Sequence, residues 1–259
     1  MKGKVSKNKF LKVVLPALLV VAIICQAVGF QAVLAKGNVA STSSDSISNL
    51  TDQQLQALTN PILQSYKADS SHKVWKMTND SRLAVLANQT NIENARLQEV
   101  VKLVNSEFVE KEIISSPLAM VYAQEKDVSY GDILIDIDQT SSITSSSNSK
   151  EAYKITIGEN GVRLTGASEN AIMHGLRTIQ NLIITNDGLV YGEIVDYPNV
   201  AERRVHVDCA RKYISKDWFI RQIREMSYMK MNALQIHFSE NMGLEFECET
   251  DPSIVLINI

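Results

Sequence analysis

Polar side chains lie at the ends of two successive strand patterns late in the sequence. The segment RRVHVDCARKY predicts a strand that begins near Arg203 and ends at the carboxylate Asp208, with Arg211 just beyond it. The next strand pattern, NALQIHF, contains His237, and Glu240 follows it. In parallel α/β architectures the carboxyl ends of the strands carry the binding and catalytic groups. The pattern therefore indicates a site for a polar ligand at these strand ends.

An amphipathic helix separates the two strands. SKDWFIRQIREMSYMKM begins with Ser215 as its cap and places one apolar face at helical spacing, formed by Phe219, Ile220, Ile223 and Met226. A strand, a helix and a strand in about thirty residues match the size of a parallel crossover. A closed (β/α)8 TIM barrel needs about 250 residues, so we expect residues 199–259 to be the truncated start of such a barrel, its first β-α-β unit.

A different pattern precedes this unit. Residues 72–198 combine short alternating strand patterns with two helices, which predicts an α+β domain with a mostly antiparallel sheet. One pair of strands surrounds GENG and predicts a hairpin. The first helix is expected to bury Ala95, Val100, Leu103, Val104 and Phe108. The second helix is expected to start at the cap Ser168 and to bury Ile172, Leu176, Ile179 and Ile183.

The first residues have the order of an export signal. Five lysines precede the apolar run VVLPALLVVAIICQAVGF, and small residues follow at Val33 and Ala35. This order predicts a signal peptide over residues 1–35 with cleavage after Ala35, and an uncleaved membrane anchor is the alternative. Residues 36–71 are expected to form a polar linker with a weak helix. In either case the rest of the chain is expected to be secreted or held at the cell surface.

Composition excludes several classes of function. The 259 residues carry a formal net charge of -3, which gives no basic field for nucleic acid. The sequence shows no CxxC or HExxH spacing, so no metal site is predicted. Beyond the signal the cysteines are Cys209 and Cys248. Export permits a disulfide between them, but two buried, unpaired side chains are the favoured interpretation.

Two stretches resemble a known family. VRLTGASENAIMHGLRTIQNLI is similar to the end of the N-terminal α+β domain of glycoside hydrolase family 20, the β-N-acetylhexosaminidases and lacto-N-biosidases. DYPNVAERRVHVDCARKYISKDWFIRQIREMSYMKMNALQIHFSEN resembles the opening of that family's catalytic barrel. The similarity covers about residues 72–250. An unrelated α/β domain with an accidental match is disfavoured because both stretches occur in the right order and at the right separation.

The resemblance implies roles for individual residues. Arg203 is matched to an arginine that binds sugar hydroxyls, and Arg204 is the alternative if the register shifts by one. His237 and Glu240 are expected to contact the substrate, although Glu240 stands where the family commonly has Asp. Asp208 is expected to orient neighbouring groups through buried hydrogen bonds, with Arg211 as its ion-pair partner. His174 is expected to be a packed or surface histidine.

The catalytic carboxylates that the resemblance implies are not found. The family uses an adjacent Asp and Glu, and no Asp-Glu dipeptide occurs in the 259 residues. The resemblance implies a glycosidase that needs no cofactor and acts on N-acetylhexosamine-containing glycans, and the N-terminal pattern implies that it is exported. Without the catalytic pair, the chain itself is expected to be an inactive fragment. A non-catalytic carbohydrate-associated module or the product of a decaying gene is the alternative.

Overall fold

The computed structural model describes residues 47–138, 143, 149–240 and 243–244, so the expected signal peptide lies outside the described part. The helices of this part are α1 (Asp52–Gln56), α2 (Gln89–Ile92), α3 (Ala95–Glu110), α4 (Glu169–Asn186) and α5 (Lys216–Tyr228). Its strands are β1 (Ser65–Ala68), β2 (Val74–Trp75), β3 (Arg82–Leu86), β4 (Ala119–Ala123), β5 (Ile133–Ile137), β6 (Tyr153–Gly158), β7 (Gly161–Gly166), β8 (Leu189–Val190), β9 (Gly192–Asp196), β10 (Arg204–Asp208), β11 (Ala233–His237), β12 (Ser239–Glu240) and β13 (Gly243–Leu244).

Seven strands form one mixed sheet in the order β1-β9-β6-β7-β5-β3-β4. The pairings from β1 to β7 are antiparallel, and those from β7 through β5 and β3 to β4 are parallel. The prediction of a mostly antiparallel sheet is therefore wrong. The helix α3 connects β3 to β4, and a helical crossover returns the chain in the same direction, which makes the pair parallel.

The main apolar core includes buried side chains of α3, α4 and the sheet. In α4 the predicted face is confirmed, since Ile172, Leu176 and Ile179 are fully buried and Ile183 is nearly so. In α3 the buried stripe is Leu97, Val101, Val104 and Phe108. The prediction was wrong for Leu103, which is 43% exposed, and for Ala95, which is also exposed. The buried stripe is thus displaced around the helix from the predicted one.

Local sequence signals set the ends of α4 and the hairpin. The Ser168 hydroxyl accepts a hydrogen bond from the Ala171 amide at 3.3 Å, which confirms the predicted cap. The predicted hairpin at GENG is the β6–β7 pair, in which Gly158 and Gly161 face each other. Gly161 has φ +91, and a Cβ there would lie 2.5 Å from the Asp132 carbonyl oxygen. Only glycine fits this position without strain.

The sheet domain begins upstream of the boundary expected at residue 72. Strand β1 pairs with β9, and Leu55, Leu63 and Tyr66 belong to the main core. The Tyr66 hydroxyl donates to the Val190 carbonyl at 2.7 Å. The segment that its composition marked as linker and weak helix therefore supplies α1, an edge strand and part of the core.

A parallel strand pair follows the sheet domain. Strands β10 and β11 lie side by side with α5 between them in sequence, as the crossover pattern predicted. Ser215 caps α5 by accepting from the Trp218 amide at 3.3 Å. On its apolar face Met226 is buried, whereas Ile220 and Ile223 are 42% and 52% exposed. None of the helices in the described ranges has the length and apolar character required to span a bilayer.

Candidate functional site

The carboxyl ends of β10 and β11 bring two predicted site residues together. Asp208 and His237 are register partners at the last position of the two parallel strands. Backbone pairing continues one step further, because the Cys209 amide donates to the His237 carbonyl at 3.0 Å. The His237 ring also meets the His206 ring edge-on, with centroids 6.1 Å apart. The backbone register thus places Asp208 and His237 at the same edge of the strand pair, and a binding site there stays a prediction.

Asp208 and Arg211 form the ion pair expected from the sequence. Arg211 Nε lies 3.3 Å from Asp208 Oδ2, and the other carboxylate oxygen accepts from the Ala210 amide at 3.0 Å. The side chains are 35% and 63% exposed, so the pair is open to solvent and not buried as the orienting role assumed. The carboxylate fixes the turn after β10, and both charges can be reached from outside.

Glu240 lies in β12, whose backbone pairs with β13 shortly after β11 ends. Asn241, Glu247 and Cys248 fall outside the described residues. Cys209 is buried directly after β10, and the favoured interpretation that it does not pair with Cys248 stays a prediction.

Arg203 lies at the opposite, amino end of β10. It precedes Asp208 by five residues, which corresponds to roughly 16 Å of extended chain. Its Nε donates to the Lys230 carbonyl at 2.8 Å, its Nη1 to the Val200 carbonyl at 2.8 Å, and its Nη2 to the Glu151 carboxylate. The expected sugar contact does not fit this position, because the guanidinium is occupied by protein acceptors far from the carboxyl edge.

Arg204, the alternative, also has protein partners. It pairs with Glu202 and donates to Gln235 Oε1 at 2.8 Å, across the β10–β11 pair. Like Arg203, it stands at the amino end of the strand, so neither arginine serves the carboxyl edge. Of the arginines singled out in the sequence, only Arg211 is placed there.

A buried polar network joins the sheet domain to the β10–α5–β11 unit. Lys230 Nζ donates to Asp196 Oδ2 at 2.8 Å and to the Tyr153 hydroxyl at 2.7 Å. The Tyr153 hydroxyl also donates to Asp196 at 2.7 Å and bonds with Thr178. Burial lowers the pKa of Lys230, opposed by Asp196, and burial raises the pKa of Tyr153 well above its usual range. We call the region around this network, which is formed by Lys230, Asp196, Tyr153 and Thr178, the junction.

A second buried pair adds to the contact between the helices. Arg177 of α4 binds Glu107 of α3, and its Nε donates to the Ser227 hydroxyl of α5 at 3.0 Å. The Tyr228 ring lies over the same guanidinium at 4.2 Å. Sequence reasoning missed Arg177, Glu107 and Lys230 as structural residues. Lys230 belongs to the matched motif, but nothing in the helix patterns signals the other two.

The junction also contains a cavity of about 240 Å³. Its wall includes Ile62, Val200, Glu151, Arg203 and His174. Burial lowers the pKa of His174 to about 4. The prediction that His174 is a packed histidine fits its 8% exposure. Within the described ranges no group of three His, Cys, Asp or Glu side chains could hold a metal ion.

Comparison with known families decides the classification. Residues 59–197 match the model of glycosyl hydrolase family 20, domain 2, and residues 202–257 match the family's catalytic domain. The first match alone covers more than half of the 259 residues. The chain belongs to glycosyl hydrolase family 20. The glycosidase classification inferred from the resemblance is thereby confirmed.

Curated family 20 relatives share short regions with this chain. It is 30% identical over 92 residues to "Beta-hexosaminidase B" of Pseudoalteromonas piscicida, which is 35% of this chain and 12% of that protein. It is 29% identical over 97 residues to "Beta-hexosaminidase" of Akkermansia muciniphila, 36% of this chain and 20% of that protein. The chain therefore spans about an eighth to a fifth of these relatives.

Solved family 20 structures share the fold. The Flavobacterium johnsoniae chitobiase superposes with a TM-score of 0.64 at 18% identity, covering 80% of this chain and 30% of that one. A Vibrio harveyi exo-β-N-acetylglucosaminidase, solved with N-acetylglucosamine, gives a TM-score of 0.59 at 16% identity, covering 79% of this chain and 29% of that one. The similarity shows that this chain shares its fold with part of each of these structures.

Proposed function

We propose that the protein acts as an exported β-N-acetylhexosaminidase that releases terminal N-acetylhexosamine from glycans. One observation carries this proposal: the domain 2 match ends at residue 197 and the catalytic-domain match begins at residue 202, just before β10. Several relatives carry the name β-hexosaminidase. The activity is proposed for the whole protein, because this chain covers only a small part of those relatives.

The β10–α5–β11 unit is proposed to be the start of a (β/α)8 barrel. Support comes from the parallel register of β10 with β11 and from the helix that connects them. A single parallel pair leaves apolar helix positions such as Ile223 exposed, and neighbouring barrel elements would bury them. The polar ends of both strands then lie on the face where barrel enzymes bind substrate.

We further propose that Asp208, Arg211 and His237 bind the sugar at this face, and that Glu240 extends the same edge. A guanidinium presents fixed donors and a carboxylate presents acceptors, and a hydroxylated ring offers partners for both. The Asp208–Arg211 pair is solvent-exposed, so a ligand can reach both groups. Arg203 is left out of this set because its donors are occupied at the junction.

The proposed chemistry is substrate-assisted hydrolysis with retention. In this exception among retaining enzymes the substrate's own acetamido oxygen attacks the anomeric carbon, while a glutamic acid protonates the leaving oxygen and an aspartate orients the acetamido group. The sequence contains no Asp-Glu dipeptide to perform these roles. We therefore propose that the chain by itself does not hydrolyse glycosides.

The deciding experiment measures hydrolysis of a chromogenic β-N-acetylglucosaminide. The purified chain is compared with the same chain extended in frame by the downstream sequence of its gene, and a lacto-N-biose glycoside tests the disaccharide alternative. Activity only in the extended protein supports the proposal. Activity in the chain alone contradicts the assignment of the chemistry to residues outside it. Sugar binding without hydrolysis by either form identifies a non-catalytic module instead.

A binding test on the chain shows whether Arg211 contacts the sugar. N-acetylglucosamine is titrated into the chain and into Arg211→Ala, with Arg221→Ala on the exposed surface of α5 as the matched control. Loss of a charged hydrogen-bonding group weakens binding about tenfold or more, since such bonds contribute about 1.5–3 kcal/mol. Equal affinity for Arg211→Ala and Arg221→Ala would remove Arg211 from the proposed site.

A further inference from the structure

His174 occupies a buried position at the junction. It lies on α4 with its side chain 10% exposed, and its Nε2 is 3.8 Å from Glu151 Oε2. Among described residues neither ring nitrogen has a hydrogen-bond partner. A protonated imidazole needs two acceptors, whereas a neutral one carries a single N–H. The position therefore suits only the neutral ring.

The charged groups around His174 are already paired with one another. Glu151 accepts from Arg203 and also from Asn232 Nδ2 at 3.0 Å, and Asp196 binds Lys230. The titratable groups facing the imidazole are Glu151 before β6, Tyr153 in β6, Asp196 at the end of β9, Arg203 before β10 and Lys230 after α5. Two carboxylates are thus balanced by two cations, and no unpaired anion remains to stabilise an imidazolium.

The neighbours of His174 come from both sides of the junction. Glu151, Tyr153 and Asp196 belong to the sheet domain, whereas Arg203 and Lys230 belong to the β10–α5–β11 unit. Separating the two parts would remove both cations and expose the imidazole to water. Burial, assisted by Lys230 and Arg203 and opposed by Glu151, holds the pKa of His174 at about 4 in the closed arrangement.

We propose that the junction is a proton-linked latch, in which opening exposes His174 to protonation, so that acid releases the β10–α5–β11 unit while the sheet domain stays folded. The sheet domain can remain folded because, among the described residues, its main core contains no side chain of β10, α5 or β11. Proton uptake by one group on opening makes the opening constant depend on pH.

The direction and the size of the pH effect on the opening constant follow from proton linkage. An exposed histidine has a pKa of about 6.5, so the opened form binds a proton that the closed form, with a pKa of about 4, does not. Opening therefore becomes more favourable as pH falls through 6.5 toward 4. Between pH 7 and pH 5 the opening constant should rise about 20-fold. Exposed carboxylates titrate mostly below this window, so the window isolates histidine.

Hydrogen exchange of the whole chain, followed by mass spectrometry between pH 7 and pH 5, tests the latch. After correction for intrinsic exchange rates, peptides covering β10 and β11 should lose protection about 20-fold. Peptides covering β6 and β7 should keep theirs. Parallel loss of protection in both regions would show global unfolding and overturn the proposal.

Two variants test whether His174 causes the pH-dependent loss of protection in β10 and β11. His174→Gln removes the titrating group and should give a β10–β11 protection that does not change with pH in this window. The matched control is His72→Asn, in the turn before β2, where φ is 49 and asparagine fits; it should keep the 20-fold change. A pH response that persists in His174→Gln overturns the proposal.

A measurement on the unmodified chain guards against a misfolded variant. The His174 ring is titrated by NMR in the natural sequence. A midpoint near 4 is expected from its burial, and a midpoint near 6.5 would show an exposed ring and refute the latch.

Discussion

Lys230 Nζ lies 2.8 Å from Asp196 Oδ2, and this pair connects the turn after α5 to the last strand of the sheet domain. The side chains are 7% and 9% exposed, so both charges are removed from water. Tyr153 bonds with both partners and satisfies further hydrogen-bonding capacity. The two parts of the chain are therefore held together by a specific polar contact. It is specific because a buried charge that loses its partner is strongly destabilising.

Lys230→Met should destabilise the chain strongly. The substitution leaves the Asp196 carboxylate buried without its cation, and breaking such a pair costs about 3–5 kcal/mol. Urea unfolding followed by circular dichroism measures the change. Lys154→Met is the matched control, because its pair with Glu193 is 39% and 44% exposed and contributes about 1 kcal/mol or less. Equal effects of the two variants would contradict the burial argument.

Gly175→Ala should destabilise the contact of α4 with the sheet. A Cβ at this position would lie 2.2 Å from Leu164 Cδ1, so α4 or Leu164 must shift, at a cost of about 1–3 kcal/mol. Gly158→Ala adds the same methyl group where nothing lies within 4 Å. Thermal unfolding should therefore show a clear fall in Tm for Gly175→Ala only. A comparable fall for Gly158→Ala would point to a general backbone effect.

Asn105→Ala should loosen the loop that leads into β4. The buried Asn105 amide donates to the Leu118 carbonyl and accepts from the Leu118 amide, each at 2.9 Å. Its loss leaves both backbone groups without these bonds, at a cost of about 1–3 kcal/mol. Asn170→Ala, which removes an exposed bond to Arg96, is the control and should change the unfolding free energy by about 0.5 kcal/mol or less. The Leu118 amide should also exchange faster only in Asn105→Ala.

Export with cleavage of the signal peptide predicts a defined N-terminus for the mature protein. If residues 1–35 form a cleaved signal peptide, the protein recovered from outside the cytoplasm should begin at Lys36. N-terminal sequencing reads this directly. Recovery from the membrane fraction with Met1 or an early residue at the end would instead indicate the uncleaved anchor.

Local features of the fold could be predicted from the sequence. The cap at Ser168, the face of α4 and the glycine turn between β6 and β7 each depend on residues close together in the chain. Whether neighbouring strands run parallel or antiparallel could not be predicted. The pairing of β3 with β5 and β4 is parallel, but the alternation of side chains along a strand is the same in either direction. The role of β1 was missed because its partner β9 lies more than a hundred residues away in the sequence.

The candidate site was predicted in part. The pairing of Asp208 with Arg211 follows from their spacing, and the register of Asp208 with His237 follows from two parallel strands of similar length. The prediction for Arg203 was wrong because Arg203 lies at the amino end of β10, whereas the site is expected at the carboxyl end. At the amino end its guanidinium binds Lys230, Val200 and Glu151. Glu151, its acceptor, comes from a segment 52 residues earlier, and nothing in the local pattern connects the two.

The position of β1 at the edge of the sheet sets an order of events during synthesis. Ser65 pairs with Val195, so the first strand of the sheet has no neighbour until almost the whole domain has left the ribosome. Tyr66 likewise needs the Val190 carbonyl to complete its buried hydrogen bond. The hairpin of β6 and β7 is local and can form before β9 has been synthesised. The nascent chain therefore carries an unpaired strand for more than a hundred residues of translation, a period in which a holding chaperone would protect it.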